Sequence, residues 1–205
     1  MLADSQIDRY CRQIVLPEIG SRGQERLLQS AVSISGGGDA ALVCATYLAA
    51  AGVGEIGLSE AGGPSRLAPL LGNPRERNPD CRLRGDPPQA PRVAIAISAL
   101  PSDFPPSTTV LCAVTDSSGI HRVRFAPGRA CAECLRELWS RALVEPYPTA
   151  ELLLGSLLAT DSLRSILGLG DSARSEVLRI DLDRGAFSVS PFHGRSDCPR
   201  CGPEV

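Results

Sequence analysis

The segment Ala31–Ser59, AVSISGGGDAALVCATYLAAAGVGEIGLS, decides the fold of this chain. It begins with a short apolar run rich in β-branched residues, which predicts a strand over Ala31–Ser35. Three glycines follow, and an apolar helix is predicted from Asp39 until the glycines at 52 and 54 end it. Glu55–Ser59 is a second predicted strand. The order strand, turn, helix, strand predicts parallel strands joined by a right-handed crossover, the core of an α/β fold.

The rest of the chain extends this α/β pattern on both sides. Additional strands are predicted at Arg92–Ser98, Thr108–Thr115 and His121–Ala126, with a weak one at Cys81–Arg84. Helices are predicted at 5–13, 23–29, Ala132–Leu143 and Thr149–Leu167. The Gly-, Pro- and Arg-rich stretch 61–91 is expected to be irregular. Near the end, Asp183-Arg184-Gly185 separates two short strands, Glu176–Leu182 and Ala186–Phe192, and predicts a β-hairpin.

Length and charge limit the classes of function. A chain of 205 residues suits one α/β domain. The net charge of −2 offers no basic surface, so we expect no nucleic-acid partner. No apolar run of the length that spans a bilayer exists, and the polar N-terminus MLADSQIDRYCRQ does not resemble a signal peptide. We therefore expect a soluble, cytoplasmic protein that does not enter a membrane.

Two Cys-x-x-Cys pairs, Cys131/Cys134 and Cys198/Cys201, predict a metal site. Four thiolates from two such turns form the closed tetrahedral shell of a structural Zn²⁺ ion. The second pair lies in a Pro- and Gly-rich tail that cannot build a core, so the ion would tie this tail to the domain. A redox pair and cysteines that merely pack are the alternatives. The other cysteines are predicted to be reduced packing residues: Cys11, Cys44, Cys81 and Cys112.

The glycine turn is a candidate phosphate site. Gly36-x-Gly38-x-x-Ala41 follows a strand and opens a helix, as in loops whose backbone N–H groups and helix N-terminus hold a phosphate. A plain tight turn between a strand and a helix explains the glycines equally well, so both readings stay open.

The order of several motifs resembles the ThiF/MoeB/HesA family, relatives of ubiquitin-activating enzymes. The motifs are RYCRQ at 9–13, GQERL at 23–27, the glycine turn, YLAAAGVG at 47–54, VTD at 114–116, CAEC at 131–134, LLGSLLATDSLRSILG at 153–168 and CPRCG at 198–202. The resemblance implies a Rossmann-like, mostly parallel sheet flanked by helices, usually in a dimer. It also implies Mg·ATP as cofactor, and adenylation of the C-terminus of a ubiquitin-like sulfur carrier or of a peptide.

The resemblance assigns roles by position. Arg12 matches an arginine that reaches across the dimer to the partner's nucleotide, Glu60 an acid that contacts the ribose, and Asp116 an aspartate that helps to hold Mg²⁺. Gly36 and Gly38 match the phosphate turn, and the four cysteines of the two pairs match the zinc ligands. The alternatives are a surface arginine at Arg12 and solvated acids at the ends of strands for Glu60 and Asp116.

The chain departs from the family pattern around the nucleotide. All 21 basic residues are arginine, so no lysine can contact a phosphate, and the family's Asn, Arg and Gln after the ribose acid are missing. Arg66 or Arg75 would supply charge, but a guanidinium does not reproduce an ammonium ion. Asp39 stands where the family has glycine; its carboxylate can cap the helix, and it opposes a triphosphate. The crossover cysteine of some relatives is absent.

We therefore expect one domain over residues 1–205. It comprises a dimerising helical arm (1–30), a nucleotide-fold half (31–128) and a zinc-clasped half (129–205) with the hairpin. The expected role is an adenylation-deficient binding or scaffolding subunit, a homodimer or a heterodimer with a full-length paralogue, in a sulfur-carrier or peptide-modification pathway. A minimal active adenylyltransferase is the first alternative. A nicotinamide- or flavin-dependent oxidoreductase is the second, but neither His121 nor His193 suggests a hydride site.

Overall fold

The computed structural model describes residues 1–59, 65, 67–99, 106–116, 119–129, 131–139, 148–171 and 174–201. Its strands are β1 (Ala31–Ser35), β2 (Glu55–Ser59), β3 (Arg82–Arg84), β4 (Val93–Ile97), β5 (Thr109–Thr115), β6 (Gly119–Phe125), β7 (Glu176–Asp181) and β8 (Ala186–Pro191). Its helices are α1 (Asp4–Ile14), α2 (Gly20–Leu28), α3 (Gly38–Ala51), α4 (Ala68–Leu71), α5 (Pro74–Arg77), α6 (Ala132–Trp139) and α7 (Pro148–Leu167).

One eight-stranded sheet runs through the domain in the order β3-β2-β1-β4-β5-β6-β7-β8. The strands from β3 to β5 are parallel, whereas β5, β6, β7 and β8 pair antiparallel in sequence. The predicted α/β fold with a mostly parallel sheet is confirmed, and β7 and β8 form the predicted hairpin. Because β6 pairs directly with β7, this one sheet joins the two expected halves of the chain.

The main core lies between the sheet and the helices α3 and α7. Val32, Ile34 and Ile56 of the strands are fully buried against it, as are Leu48 and Leu158 of the two helices. The two helices approach closely at Gly155, where a Cβ atom would lie 2.6 Å from the carbonyl oxygen of Ala40. An apolar helix such as α3, buried on most of its surface, is typical of a helix enclosed between a sheet and a second helix.

The opposite face of the sheet carries a smaller core that leads to the cysteine pairs. Leu135 and Trp139 of α6 pack there against Phe125 of β6 and Val177 of β7. Phe192, just after β8, meets Phe125 edge to face with ring centroids 4.9 Å apart, and it also contacts the cysteine cluster. The hairpin is thus continuous with the packing around the cysteines.

The N-terminal helix is fixed by a hydrogen-bonded network around Tyr10. The Tyr10 hydroxyl donates to Asp80 Oδ2 at 3.0 Å and accepts from the amide of Asn78 at 2.8 Å, while Arg9 pairs with Asp80 at 3.2 Å. Asn78 also donates to the carbonyl of Ala49. Burial raises the pKa of Tyr10 to about 12, with Asn78 lowering it and Asp80 raising it. These contacts fasten α1 to the C-terminal end of α3.

Several expectations need correction. The weak strand predicted within the stretch 61–91 is confirmed as β3, but the rest of the stretch was expected to be irregular and its described part contains α4 and α5, because Pro at position 69 and at position 74 suits the first turn of a helix. Cys11 was expected to pack but is exposed, whereas Cys44, Cys81 and Cys112 are buried as predicted. Burial raises the pKa of all three buried thiols, to about 11 for Cys81.

The predicted end of the helix at Leu143 lies outside the described residues. Within the described residues, no helix is long and apolar enough to cross a membrane.

Candidate functional site

The glycine turn joins β1 to α3 at the carboxyl edge of the parallel strands. Gly36 has φ of +128° and Gly38 of +79°, a backbone region that favours glycine. A Cβ atom on Gly36 would lie 2.5 Å from the carbonyl oxygen of Ile97 at the end of β4. The fold itself therefore requires glycine at position 36. A Cβ atom on Gly38 would meet the carboxylate of Glu151, the nearest oxygen at 3.4 Å.

Glu151 occupies the N-terminal end of α3. It belongs to the first turn of α7, and its Oε2 accepts a hydrogen bond from the backbone N–H of Asp39 at 3.0 Å. The first N–H groups of a helix have no partner within the helix and, together with the helix dipole, favour an anion. In this chain that anion is a carboxylate of the protein, positioned where the glycine turn would present its N–H groups to a phosphate.

Asp39 is itself buried, with 2% of its surface exposed. Its Oδ1 accepts a hydrogen bond from the Ser65 hydroxyl at 2.7 Å and another from the backbone N–H of Leu67 at 3.1 Å. The carboxylate thus fastens the segment after β2 to the start of α3. Two carboxylates, those of Asp39 and Glu151, now flank the turn that was predicted to bind phosphate.

Asp116 follows β5 at the same edge of the sheet. Its Oδ1 accepts the N–H of Gly119, and its Oδ2 lies 2.8 Å from Nε2 of His121 on β6. These contacts close the tight connection between β5 and β6. The candidate Mg²⁺ ligand therefore has an intramolecular role already, and its oxygens face groups that compete with a metal ion for them.

Arg12 lies on the exposed side of α1. Two other residues of the RYCRQ motif make contacts within the chain: Tyr10 is buried, and Arg9 pairs with Asp80. Among the described residues, no hydrogen bond or ion pair of Arg12 is seen. The structure therefore presents this guanidinium to solvent on the side of the domain where β3 is the edge strand. Glu60, the predicted ribose contact, and Arg66 lie outside the described residues.

The four predicted metal ligands come together. Cys131 precedes α6, Cys134 lies in its first turn, and Cys198 and Cys201 follow the hairpin. Their sulfur atoms all lie within 4.8 Å of one another, with 3.7 Å between Cys131 and Cys198 and 3.3 Å between Cys134 and Cys201. Four ligands about 2.3 Å from a tetrahedral ion would be roughly 3.8 Å apart. The cluster thus has the ligand number and spacing to hold one metal ion.

The surroundings of the cysteines also suit a metal ion. The backbone N–H of Arg195 donates to Cys134 Sγ at 3.3 Å, the kind of outer contact that orients a thiolate ligand. A Cβ atom on Gly194 would lie 3.4 Å from Cys201 Sγ, so the tail passes close to the sulfur atoms. A metal ion held by all four sulfur atoms would have no position for a reacting water molecule, as in structural sites.

A buried ion pair connects α7 to the antiparallel strands. Arg122 Nε lies 2.9 Å from Asp161 Oδ2, and both side chains are almost fully buried. The Nε–H bond of Arg122 does not point at Asp161 Oδ2, and neither Arg122 Nε nor Asp161 Oδ2 has a hydrogen-bond partner among the described residues. Burial raises the pKa of Asp161 more than Arg122 lowers it. Arg122 also donates to Glu176; burial opposes ionisation of Glu176, but its contacts with Arg122 and Arg124 hold its pKa below the usual value.

The sequence did not single out Glu151. An acidic residue in the first turn of a helix is common because it suits the dipole of its own helix, so the sequence pattern gave no separate signal. Only the packing of α7 on α3 brings this carboxylate to the glycine turn. Ser65 was missed for the same reason, since nothing in a Gly- and Pro-rich stretch distinguishes one serine.

Comparisons with known proteins agree with the motifs and with the fold. The model of the ThiF family matches residues 10–60. Bovine "Adenylyltransferase and sulfurtransferase MOCS3" is 29% identical over 98% of this chain and 54% of its own length, so the chain spans about half of that relative. The "SAMP-activating enzyme E1" of Haloferax volcanii is 26% identical over 97% of this chain and 90% of the relative.

Solved structures share the fold. E. coli MccB superposes with a TM-score of 0.69 over 98% of this chain and 74% of its own, at 16% sequence identity. The alignment with bovine MOCS3 extends over 254 positions although this chain has only 205 residues, so the relative contains insertions that this chain lacks. The ThiF match to the segment with the glycine turn, relatives aligned along nearly the whole chain and the shared fold lead to one conclusion. The chain is similar along nearly its whole length to proteins of the ThiF/MoeB/HesA type, and its residues 10–60 match the ThiF family model.

Proposed function

We propose that this chain is an adenylation-deficient subunit that binds or scaffolds partners in a sulfur-carrier or peptide-modification pathway. The observation that carries the proposal is the hydrogen bond from the Asp39 N–H to Glu151 Oε2 at 3.0 Å. Named relatives of the chain are adenylyltransferases, which must place a nucleotide phosphate near positive groups. In this chain the carboxylate of Glu151 occupies the N-terminal end of α3, where such a phosphate would lie.

Electrostatics supports weak or absent nucleotide binding. A phosphate placed about 4 Å from a carboxylate is repelled by about 1 kcal/mol in water and about 4 kcal/mol near a protein surface. Two carboxylates, from Asp39 and Glu151, flank the turn. The chain has no lysine to offset them, and the family's Asn, Arg and Gln are missing. Asp116, the candidate Mg²⁺ ligand, is paired with His121.

The parts of the fold that do not concern a nucleotide remain in place, as the proposed binding role requires. The core between the sheet and the two long helices is complete, Tyr10 fixes the N-terminal arm, and Arg12 is exposed. We infer that the four cysteines hold Zn²⁺, since a closed shell of four thiolates suits this ion. Zinc would then clasp the tail to α6 and stabilise the fold, with no part in a reaction.

The proposed partners follow from the family. The names of the relatives include enzymes that activate sulfur carriers, so a ubiquitin-like carrier or a peptide is the proposed ligand. The chain would associate as a homodimer, or as a heterodimer with a full-length paralogue to which it delivers Arg12. Delivery to another subunit would give this exposed arginine a role that it does not have at the chain's own glycine turn, which lies at the other end of α3 from the contacts of α1.

A functional minimal adenylyltransferase is the second candidate, and one observation favours it. The three heavy atoms nearest to a Cβ on Gly38 all belong to the Glu151 side chain. A rotation of that side chain would therefore open the space beside the turn without any backbone movement. In this case Gly36, Gly38 and Asp116 would contact Mg·ATP and Glu60 the ribose.

Calorimetric titration with Mg·ATP separates the two candidates. The proposed subunit binds Mg·ATP with a dissociation constant above about 100 μM, which corresponds to roughly −5.5 kcal/mol, and shows no ATP–pyrophosphate exchange with any carrier. A micromolar dissociation constant, or exchange that depends on a carrier or peptide, would establish the minimal enzyme and reject the proposal.

A further inference from the structure

The outer edge of β8 is the most exposed regular element of the described chain. All six residues of β8 are exposed, including Phe187 at 78% and Val189 at 58%. The strand carries no charged residue, and among the described strands its one neighbour is β7. Proteins usually protect such edges with charges, bulges or a covering element, because an open edge pairs with other strands.

The hydrogen bonds of the hairpin reveal which backbone groups of β8 are free for pairing. Phe192 N–H donates to the carbonyl of Ser175 at 2.9 Å, so these two opposite residues form a hydrogen-bonded pair with β7. In an antiparallel ladder such pairs alternate. Ser188 and Ser190 therefore point their backbone groups toward β7, whereas Phe187 and Val189 point theirs outward.

Pro191 restricts how another strand can join this edge. It also faces outward but has no N–H group, and on the other side of Phe187 the chain enters the turn at residue 185. The free donors are thus those of Phe187 and Val189. An antiparallel second β8 uses both donors of both copies in the register in which Phe187 of each copy faces Val189 of the other, and the outward carbonyl groups of the same two residues accept these hydrogen bonds.

The side chains fit the same register. Phe187 and Val189 lie on one face of the sheet, so the register creates two apolar cross-strand pairs on that face. On the other face, Ser188 of one copy meets Ser188 of the other. The edge is therefore complementary to itself in hydrogen bonding and apolar contact.

We propose that β8 is an interaction surface for a second copy of this chain, joined edge to edge about a two-fold axis at Ser188. This interface lies at the opposite end of the sheet from β3 and does not depend on the function proposed above. Pairing of two six-residue strands buries less than the about 1,200–2,000 Å² of a standard interface, so the association is weak and is expected at tens of micromolar protein.

Disulfide trapping tests this register. In the register centred on Ser188, the two Ser188 Cα atoms form a non-hydrogen-bonded pair about 4.5 Å apart, within the about 4.4–6.8 Å that a disulfide spans. The two Ser190 residues would be roughly 13 Å apart along the strands. In a Cys11→Ser background, mild oxidation should cross-link Ser188→Cys, while the matched Ser190→Cys should stay at the background level. Peptide mapping must place the disulfide between the two residues 188.

Sedimentation equilibrium supplies a second, independent readout. Val189→Lys places a charge on the edge without removing a hydrogen bond to β7, and it should weaken association at least about tenfold while the melting temperature stays unchanged. Equal cross-linking of Ser188→Cys and Ser190→Cys, or an association constant unaffected by Val189→Lys, overturns the proposal. So does a chain that shows no association at about 100 μM beyond a dimer formed near Arg12, and that binds an extended peptide along β8 in place of a second copy.

Discussion

Glu151 and Asp39 are linked by a hydrogen bond from the Asp39 backbone N–H to Glu151 Oε2 at 3.0 Å, which joins the first turns of α7 and α3. The contact places a carboxylate of the protein at the end of α3 where a phosphate would bind in a nucleotide-binding loop. It depends on the close packing of the two helices at Gly155, which has no side chain to hold them apart. The local change in the site thus follows from the packing of the fold.

Removing the two carboxylates should strengthen anion binding. Asp39→Gly and Glu151→Gln each take away one negative charge beside the glycine turn, so we expect each to tighten binding of Mg·ATP or pyrophosphate by about tenfold or more. Calorimetric titration measures the change. Glu133→Gln, which alters an exposed carboxylate on α6, is the matched control and should leave the affinity unchanged. Unchanged affinity in both test variants would show that the electrostatic explanation is incorrect.

Metal should be bound at one Zn²⁺ per chain. Elemental analysis of the purified protein measures this ratio, and Cys201→Ser should release the ion and lower the melting temperature, because structural zinc contributes to folding free energy. Cys11→Ser changes an exposed cysteine outside the cluster and should retain both metal and stability. A protein purified without metal under non-chelating conditions would contradict the assignment.

Arg12 should act on a partner chain. We expect a dimer in solution with an interface near Arg12 that buries more than about 1,000 Å² in total. If a full-length paralogue is present, Arg12→Ala should lower the adenylation rate of that paralogue while this chain remains folded. Arg22→Ala, on the exposed surface of α2, serves as the control. Light scattering gives the oligomeric state, and an undiminished paralogue rate with Arg12→Ala would exclude delivery of the arginine in trans.

Tyr10 should make stability depend on pH above about 10. Burial raises its pKa in the folded chain to about 12 from an ordinary value of 10.0, so the unfolded chain loses the phenolic proton first. The stabilisation is complete below pH about 10 and is lost as pH rises toward about 12. Tyr10→Phe should therefore destabilise the chain at pH 8, and the difference from wild type should shrink by pH 11. Urea unfolding at pH 8 and at pH 11 measures the free energy of unfolding of each variant, and Tyr47→Phe, which changes an exposed tyrosine, is the control.

The buried pair of Arg122 and Asp161 should be costly to break on one side only. Arg122→Met leaves Asp161 without its buried cation, and we expect about 3–5 kcal/mol of destabilisation. The double variant Arg122→Met with Asp161→Leu should recover most of that loss, since no unpaired charge stays buried. Denaturant unfolding measures the difference. Arg136→Met disrupts an exposed pair with Glu133 and should have no measurable effect.

The elements of the fold were largely predictable because local pattern and tertiary packing agree in them. β1 and β2 occur at Ala31–Ser35 and Glu55–Ser59, as expected from two short runs on either side of the glycine turn and the apolar helix. The hairpin of β7 and β8 follows from its Asp-Arg-Gly turn. The metal site was predictable for a similar reason, since two Cys-x-x-Cys turns each fix the spacing of two ligands regardless of the 63 residues between Cys134 and Cys198.

The sequence by itself determined the chemistry available to this protein: four thiolates, a glycine turn, an exposed arginine motif and no lysine. Tertiary structure alone decided how those groups meet. Glu151 lies 112 residues from Asp39 along the chain, and only the contact between α7 and α3 brings it to the turn. Likewise, His121 reaches Asp116 because β5 and β6 pair antiparallel. Contacts between distant segments depend on helix packing and strand register, which local residue patterns do not encode.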